Sequence, residues 1–421
     1  MKDFKNLILI VASLLVCLLI FEIGARFFVA PSEECYGVFF GHKLPPLKVI
    51  MYNPYRDGHL RIHDNNWWKN IVVDGKKITL ADLRGSYRED GLLGYTPEEN
   101  FLSPNGWWQT NNLGARSRDD IAKYAMHNKK RIIIFGESFT DCIGLRQEEA
   151  WPTLLNNKSE NIEVINFGVG GYSMTQCFLR YKKIINEINY DTVIFVFSPS
   201  INLWREISVV RYLGGGWTSH NTPSPRFIIE KGKLKLIKIP WGSSMNSFYE
   251  KNRETLSEEF KDHLRKYDRF YFKAKYEDTP IIGKSIIFKL IIEKYYNFKN
   301  EYLFANLMEP SSEAMQISKR IFAAIRDETR RSGKEFILVF YPPPRDLLRN
   351  YKKHASLRKL WKDTVSFFSK EDLVCIDLMN NFLMLPESKL DMDYDGSHYG
   401  KRVNKLIAEL IWDNLNKLGY N

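Results

Sequence analysis

The stretch Arg131–Gly144, RIIIFGESFTDCIG, decides the reading of the fold. Arg131 to Phe135 is a short apolar run rich in β-branched residues, the composition of a parallel strand buried on both faces. Gly136 ends the run, and Glu137-Ser138-Phe139-Thr140 follow at once. A small nucleophile placed directly after a buried strand sits at that strand's carboxyl end, where open α/β sheets put their sites. For this fragment alone, a turn or helix N-cap serine is the competing reading.

Outward from this stretch the same pattern repeats. Strands are expected at Glu163–Phe167, Thr192–Phe197, Glu335–Tyr341 and Val374–Asp377. Helices are expected at Glu148–Asn156, Thr175–Ile188, Ser311–Arg331 and Arg402–Leu418, the last with Val403, Leu406, Ile407, Leu410 and Ile411 on one face and Gly419 as its cap. Strands alternating with helices imply an α/β fold, a doubly wound parallel sheet flanked by helices.

Four segments in order resemble the SGNH (GDSL-like) hydrolase superfamily, over Lys130–Leu418. Its glycine-aspartate-serine block is similar to Gly136-Glu137-Ser138, with glutamate for aspartate. Its asparagine with a glycine-rich turn is similar to Asn166-Phe167-Gly168-Val169-Gly170-Gly171. Its Gly-x-Asn-Asp block is degenerate here as Ser200-Ile201-Asn202-Leu203, and its Asp-x-x-His block is intact as Asp395-Gly396-Ser397-His398. The resemblance implies a flavodoxin-like three-layer fold and serine acyl chemistry without metal or organic cofactor. Gly94-Tyr95-Thr96-Pro97 and Asn112-Leu113-Gly114-Ala115-Arg116 resemble a lead-in of membrane-anchored bacterial members. Arg116 there is expected to form a structural salt bridge, with substrate contact as the alternative.

Acyl transfer needs an activated hydroxyl, a base, an orienter for the base and donors for the oxyanion. The resemblance assigns the hydroxyl to Ser138, the base to His398 and the orienter to Asp395. The oxyanion donors would be the backbone N–H groups of Ser138 and Gly171 and the side chain of Asn202. Glycine at 171 lets the backbone approach substrate and reach positive φ.

The N-terminus carries Lys2 and Lys5, followed by an unbroken run of apolar or small residues from Leu7 to Phe21, extended by Ile23–Ala30 past Glu22 and Arg26. The extended segment reaches the roughly 20 residues a bilayer requires. The lysines set a cytoplasmic start and an exported remainder. No small-x-small cleavage site followed by a mature start is evident, so an uncleaved anchor is expected in place of a signal peptide.

The segments are thus an anchor over 1–30, an irregular aromatic extension over 31–129 and a hydrolase-like domain over 130–421, with an insertion at about 204–310. Within the insertion, Arg226–Ile229 and Leu234–Ile239 flank Glu230-Lys231-Gly232-Lys233 as a hairpin. Ile281–Asn297 is apolar on one face, with Lys284, Lys289, Glu293 and Lys294 on the other; it would pack on the domain, cover the site or lie on a membrane. His59 and His63 lie four apart beside Asp64, but surroundings without helical pattern favour surface histidines over a metal site.

The formal charge of +11 is scattered among 50 acidic residues, and no nucleic-acid-binding signature accompanies it. A basic surface near an anionic membrane or acidic polysaccharide suits that charge better. The cysteines Cys17, Cys35, Cys142, Cys177 and Cys375 lack zinc-site spacing. The sequence therefore reads as a membrane-anchored serine esterase or O-acyltransferase acting on acyl, foremost acetyl, esters of extracytoplasmic glycans. The alternatives are a lipid esterase and a non-catalytic glycan-binding or assembly protein.

Overall fold

Strand β1 (Lys130–Phe135) is the centre of a five-stranded parallel sheet in the computed structural model, which describes residues 2–49, 51, 71–123, 129–214, 222–253, 255–279, 282–394 and 396–420. The others are β2 (Ile162–Asn166), β3 (Thr192–Phe197), β4 (Glu335–Phe340) and β5 (Val374–Asp377), in the order β5-β4-β3-β1-β2. The direction of winding reverses between β1 and β3, so loops leaving their carboxyl ends diverge and open a crevice there. Register sharpens this: Phe135 pairs with Phe195, which puts Ser138 and Ser198 equally far beyond paired residues.

Helices around the sheet include α1 (Ser138–Asp141), α2 (Trp151–Asn156), α3 (Met174–Ile184), α4 (Pro199–Glu206), α5 (Glu313–Arg331), α6 (Ala355–Ser369) and α7 (Lys401–Lys417). α2 packs with α7 and β2, whereas α5 packs with α3, α4 and β4, giving the two outer layers. α5 buries Ile317, Ile321 and Ile325 at helical spacing, and its Ser312 cap accepts a hydrogen bond from the Met315 N–H. The α6 crossover carries no expectation above; it buries Trp361 and Phe368, the latter against Phe197, Phe322 and Phe340.

The chain divides into two compact units. The sheet belongs to the unit of residues 53–241 and 306–421; the other comprises residues 1–52 and 242–305. The expected extension 31–129 and insertion 204–310 are therefore each shared between units. In the sheet unit, the hairpin pairs Arg226–Glu230 with Lys233–Ile237. In the first unit, the helix Lys2–Arg26 contains a segment, Phe4–Arg26, long and apolar enough to cross a membrane, with mean hydropathy 2.9. The apolar stretch of the insertion forms the helix Ile286–Ala305. Lys289, expected on its solvated side, is buried and donates to the Pro45 carbonyl. His59, His63 and Asp64 lie outside the described residues.

Candidate active site

Ser138 opens α1, and Glu137 immediately before it is the N-cap. The Glu137 carboxylate accepts the Ser138 N–H at 2.7 Å and the Phe139 N–H at 3.3 Å, a use of charge suited to a helix start. The extra methylene of glutamate over aspartate lets the carboxylate fold back far enough to accept the Ser138 hydroxyl too, at 2.6 Å. Arg205 on α4 donates to the same Glu137 oxygen at 3.3 Å and to the Tyr172 carbonyl at 3.2 Å.

The Ser138 Oγ lies 2.8 Å from Nε2 of His398. One hydroxyl carries one proton. Given to Glu137, it leaves Nε2 to donate to Ser138; given to Nε2, it requires the proton of neutral His398 to sit on Nδ1. The second arrangement is the one a general base uses. Phe139 packs on the imidazole with ring centroids 4.9 Å apart, fixing its plane.

Two oxygens of the described residues lie around Nδ1. Ser397 Oγ lies at 3.0 Å and Asp393 Oδ2 at 3.8 Å, with the Asp393 side chain fully buried. Asp395, the expected orienter, lies outside the described residues. Asp393 is held by the backbone: its N–H donates to the His398 carbonyl at 2.9 Å, and its carbonyl accepts from the Gly396 N–H at 3.1 Å. Gly144 makes room for it, since a Cβ there would stand 2.1 Å from Asp393 Oδ2. Asp393, five residues before the histidine and opposite a glycine, joins the sequence-predicted site residues.

The glycine turn is stapled to the serine turn. Asn166 donates from Nδ2 to the Thr140 carbonyl at 2.8 Å and accepts the Gly168 N–H at 2.9 Å. Asp141 accepts the Gly170 N–H at 2.7 Å and the Tyr87 hydroxyl at 2.9 Å. Burial pushes the Asp141 carboxyl up from 3.8 to about 6, although the nearby Arg116 guanidinium opposes the shift. Gly171 has φ +81°, and a Cβ would stand 2.8 Å from the Tyr95 hydroxyl, so both conformation and space demand glycine. Its N–H has no acceptor among the described residues. The Ser138 N–H, expected as an oxyanion donor, is instead engaged by Glu137.

Asn202 is fully buried on α4 and accepts the Ser198 N–H at 2.7 Å. Its Nδ2 has no acceptor among the described residues. A buried amide without acceptor costs about 1–3 kcal/mol, so a substrate oxygen is the partner that would relieve it. Leu203, where the resemblance has aspartate, is fully buried core. Arg116 is buried too, but its partners are carbonyls in place of the expected carboxylate: Asp141 at 2.5 Å, Cys142 at 2.6 Å and Leu145 at 2.6 Å. It clamps the turn after α1 and stacks on Trp108 at 3.8 Å. The extension thus supplies Tyr87, Tyr95, Trp108 and Arg116 to the support of the site.

No protein-family profile and no curated protein matches the chain. Among solved structures it is similar to TesA, with 12% identity, a TM-score of 0.34, and 69% of this chain and 99% of that chain covered. It is likewise similar to a lipase/acylhydrolase from Enterococcus faecalis, at 14% identity and a TM-score of 0.33, covering 68% of this chain and 96% of that one. Axe2, an acetylxylan esterase from Geobacillus stearothermophilus, has 13% identity and a TM-score of 0.32, with 70% of this chain and 98% of that chain covered.

Proposed function

We propose that the chain is a membrane-anchored serine esterase or O-acyltransferase acting on acyl esters, foremost acetyl esters, of extracytoplasmic glycans. The observation that carries the reading is the 2.8 Å contact between Ser138 Oγ and His398 Nε2 at the carboxyl end of a parallel sheet. Ser138 Oγ attacks the ester carbonyl carbon as its proton passes to Nε2. The carbonyl electron pair moves to oxygen, toward the Asn202 amide and the Gly171 N–H, donors that have no acceptor among the described residues. Collapse expels the sugar oxygen, which takes the proton from Nε2 and leaves an acyl-serine. Water, or a second sugar hydroxyl, then gives its proton to Nε2 and attacks the acyl carbon; the acyl–Oγ bond breaks, and Nε2 returns the proton to Ser138 Oγ. A carboxylate beside Nδ1, Asp395 by the resemblance, holds the imidazolium formed in each half.

The glycan ester and the exported location rest on the resemblance to membrane-anchored SGNH proteins and on the apolar N-terminal helix. The non-catalytic reading has one observation in its favour: Glu137 engages both the N–H and the hydroxyl of Ser138. Full-length protein in detergent should cleave an aryl acetate, and Ser138→Ala should not. Equal turnover in both would sink the serine mechanism. An acetylated polysaccharide, followed for free acetate and for acyl movement between sugars, then separates hydrolase from transferase.

A further inference from the structure

We propose that the helix Ile286–Ala305 lies on the lipid surface from which the N-terminal span emerges, as a second, interfacial membrane contact of the first unit. The inference rests on the anchor reading of Phe4–Arg26. Its inner face, Ile286, Lys289, Ile292 and Tyr296, is buried. On the outside, Ile291, Tyr295, Phe298 and Tyr302 are 58%, 53%, 67% and 66% exposed. Their spacing of four, three and four residues sets them in one row along about 16 Å of helix. Exposed lysines at 284 and 294 accompany the row, a charge suited to anionic headgroups. An apolar row mixed with aromatic rings and lysines is the composition of an interfacial helix.

Lipid is favoured as the occupant because the row is joined to the span. Glu22 accepts the Ile286 N–H at 2.9 Å, the Ile287 N–H at 3.1 Å and the Ser285 hydroxyl at 2.9 Å. Arg26 donates to the Lys284 carbonyl at 3.1 Å. Ala25, Leu44 and Ile286 share one small core. The first turn of the helix is therefore fixed within about one turn of the end of the span. Beside this joint Phe27, Phe28 and Phe40 are 83%, 63% and 71% exposed, and Phe28 stacks on Phe40 at 5.7 Å. Exposed aromatic rings next to a span belong at headgroup depth.

The test places the photocrosslinker p-benzoylphenylalanine, one site at a time, at Leu14, Tyr295, Phe298 and Tyr302 of the full chain in vesicles of phosphatidylethanolamine and phosphatidylglycerol. A phospholipid adduct at Phe298 and Tyr302, as at Leu14, is the expected result. Tyr295 repeats the measurement on the same row should either variant fold poorly. Adduct at Leu14 alone would leave the anchor standing and overturn the surface contact. Absence of adduct at Leu14 would remove the anchor and the contact together. A protein–protein adduct at Phe298 or Tyr302 would give the row to a second copy and overturn the proposal.

Discussion

Asp393 and His398 are tied to each other twice: the Asp393 N–H donates to the His398 carbonyl at 2.9 Å, and the His398 N–H donates to Asp393 Oδ1 at 3.4 Å, which leaves the buried Oδ2 3.8 Å from Nδ1. The carboxylate cannot drift from the ring without opening the loop that carries both. Asp393 is therefore expected to act as a positioning residue. Asp393→Asn should lower kcat by about a hundredfold or more with little change in KM, and shift the pH profile of kcat/KM. Asp395→Asn, at the orienter the resemblance assigns, should lower kcat to a similar extent by the same measurement. Wild-type kcat in either variant would remove that carboxylate from the support of His398.

Ser138→Ala and His398→Ala should each remove nearly all turnover, on the order of ten-thousandfold. Both side chains lie beyond the carboxyl ends of the strands and outside the apolar core, so melting temperatures should stay close to wild type. Residual activity in either variant comparable to wild type would exclude the pair as nucleophile and base.

Asn202→Ala should cost about a hundredfold or more in kcat, as the loss of one oxyanion donor does. Asn202→Asp keeps the acceptor for the Ser198 N–H and replaces only the donor. It should be at least as impaired, and circular dichroism checks that both variants fold. Wild-type kcat in Asn202→Asp would show that the amide faces no developing charge.

Asp141 makes a pH-dependent contribution to stability. Its carboxyl is raised by burial to about 6 from an ordinary 3.8. The folded state therefore holds its proton more tightly between those values. Stability from this group is fullest below the lower value and is lost as pH rises through the upper one. Asp141→Asn lacks that loss. Its melting temperature relative to wild type should rise between about pH 4 and 7, by an equivalent of about 3 kcal/mol. Parallel melting curves across that range would contradict the burial argument.

Lys2 and Lys5 ahead of the apolar run give an orientation. A reporter fused at the C-terminus should be active only outside the cytoplasm. Activity confined to the cytoplasm would remove the extracytoplasmic glycan as substrate.

The strand series was legible because the central strands are continuous buried apolar runs, and Thr192–Phe197 falls where that pattern places it. The pairing of Ser138 with His398 was legible through motif order alone, although they lie 260 residues apart. Helix α6 was passed over because its buried Trp361, Thr364 and Phe368 make only a sparse stripe.

The sequence by itself determined the α/β class, the Ser138–His398 pair and the apolar N-terminal segment, because local periodicity and short motifs carry those. Tertiary structure alone decided that Glu137 takes the Ser138 N–H, that Asp393 is buried beside the imidazole, and that Asn202 keeps an amide without acceptor among the described residues. It also decided that the middle of the insertion folds with the N-terminal helix. The physical reason is common to these. A side chain's partners depend on loop path and packing between segments far apart in sequence, and spacing along the chain does not encode either.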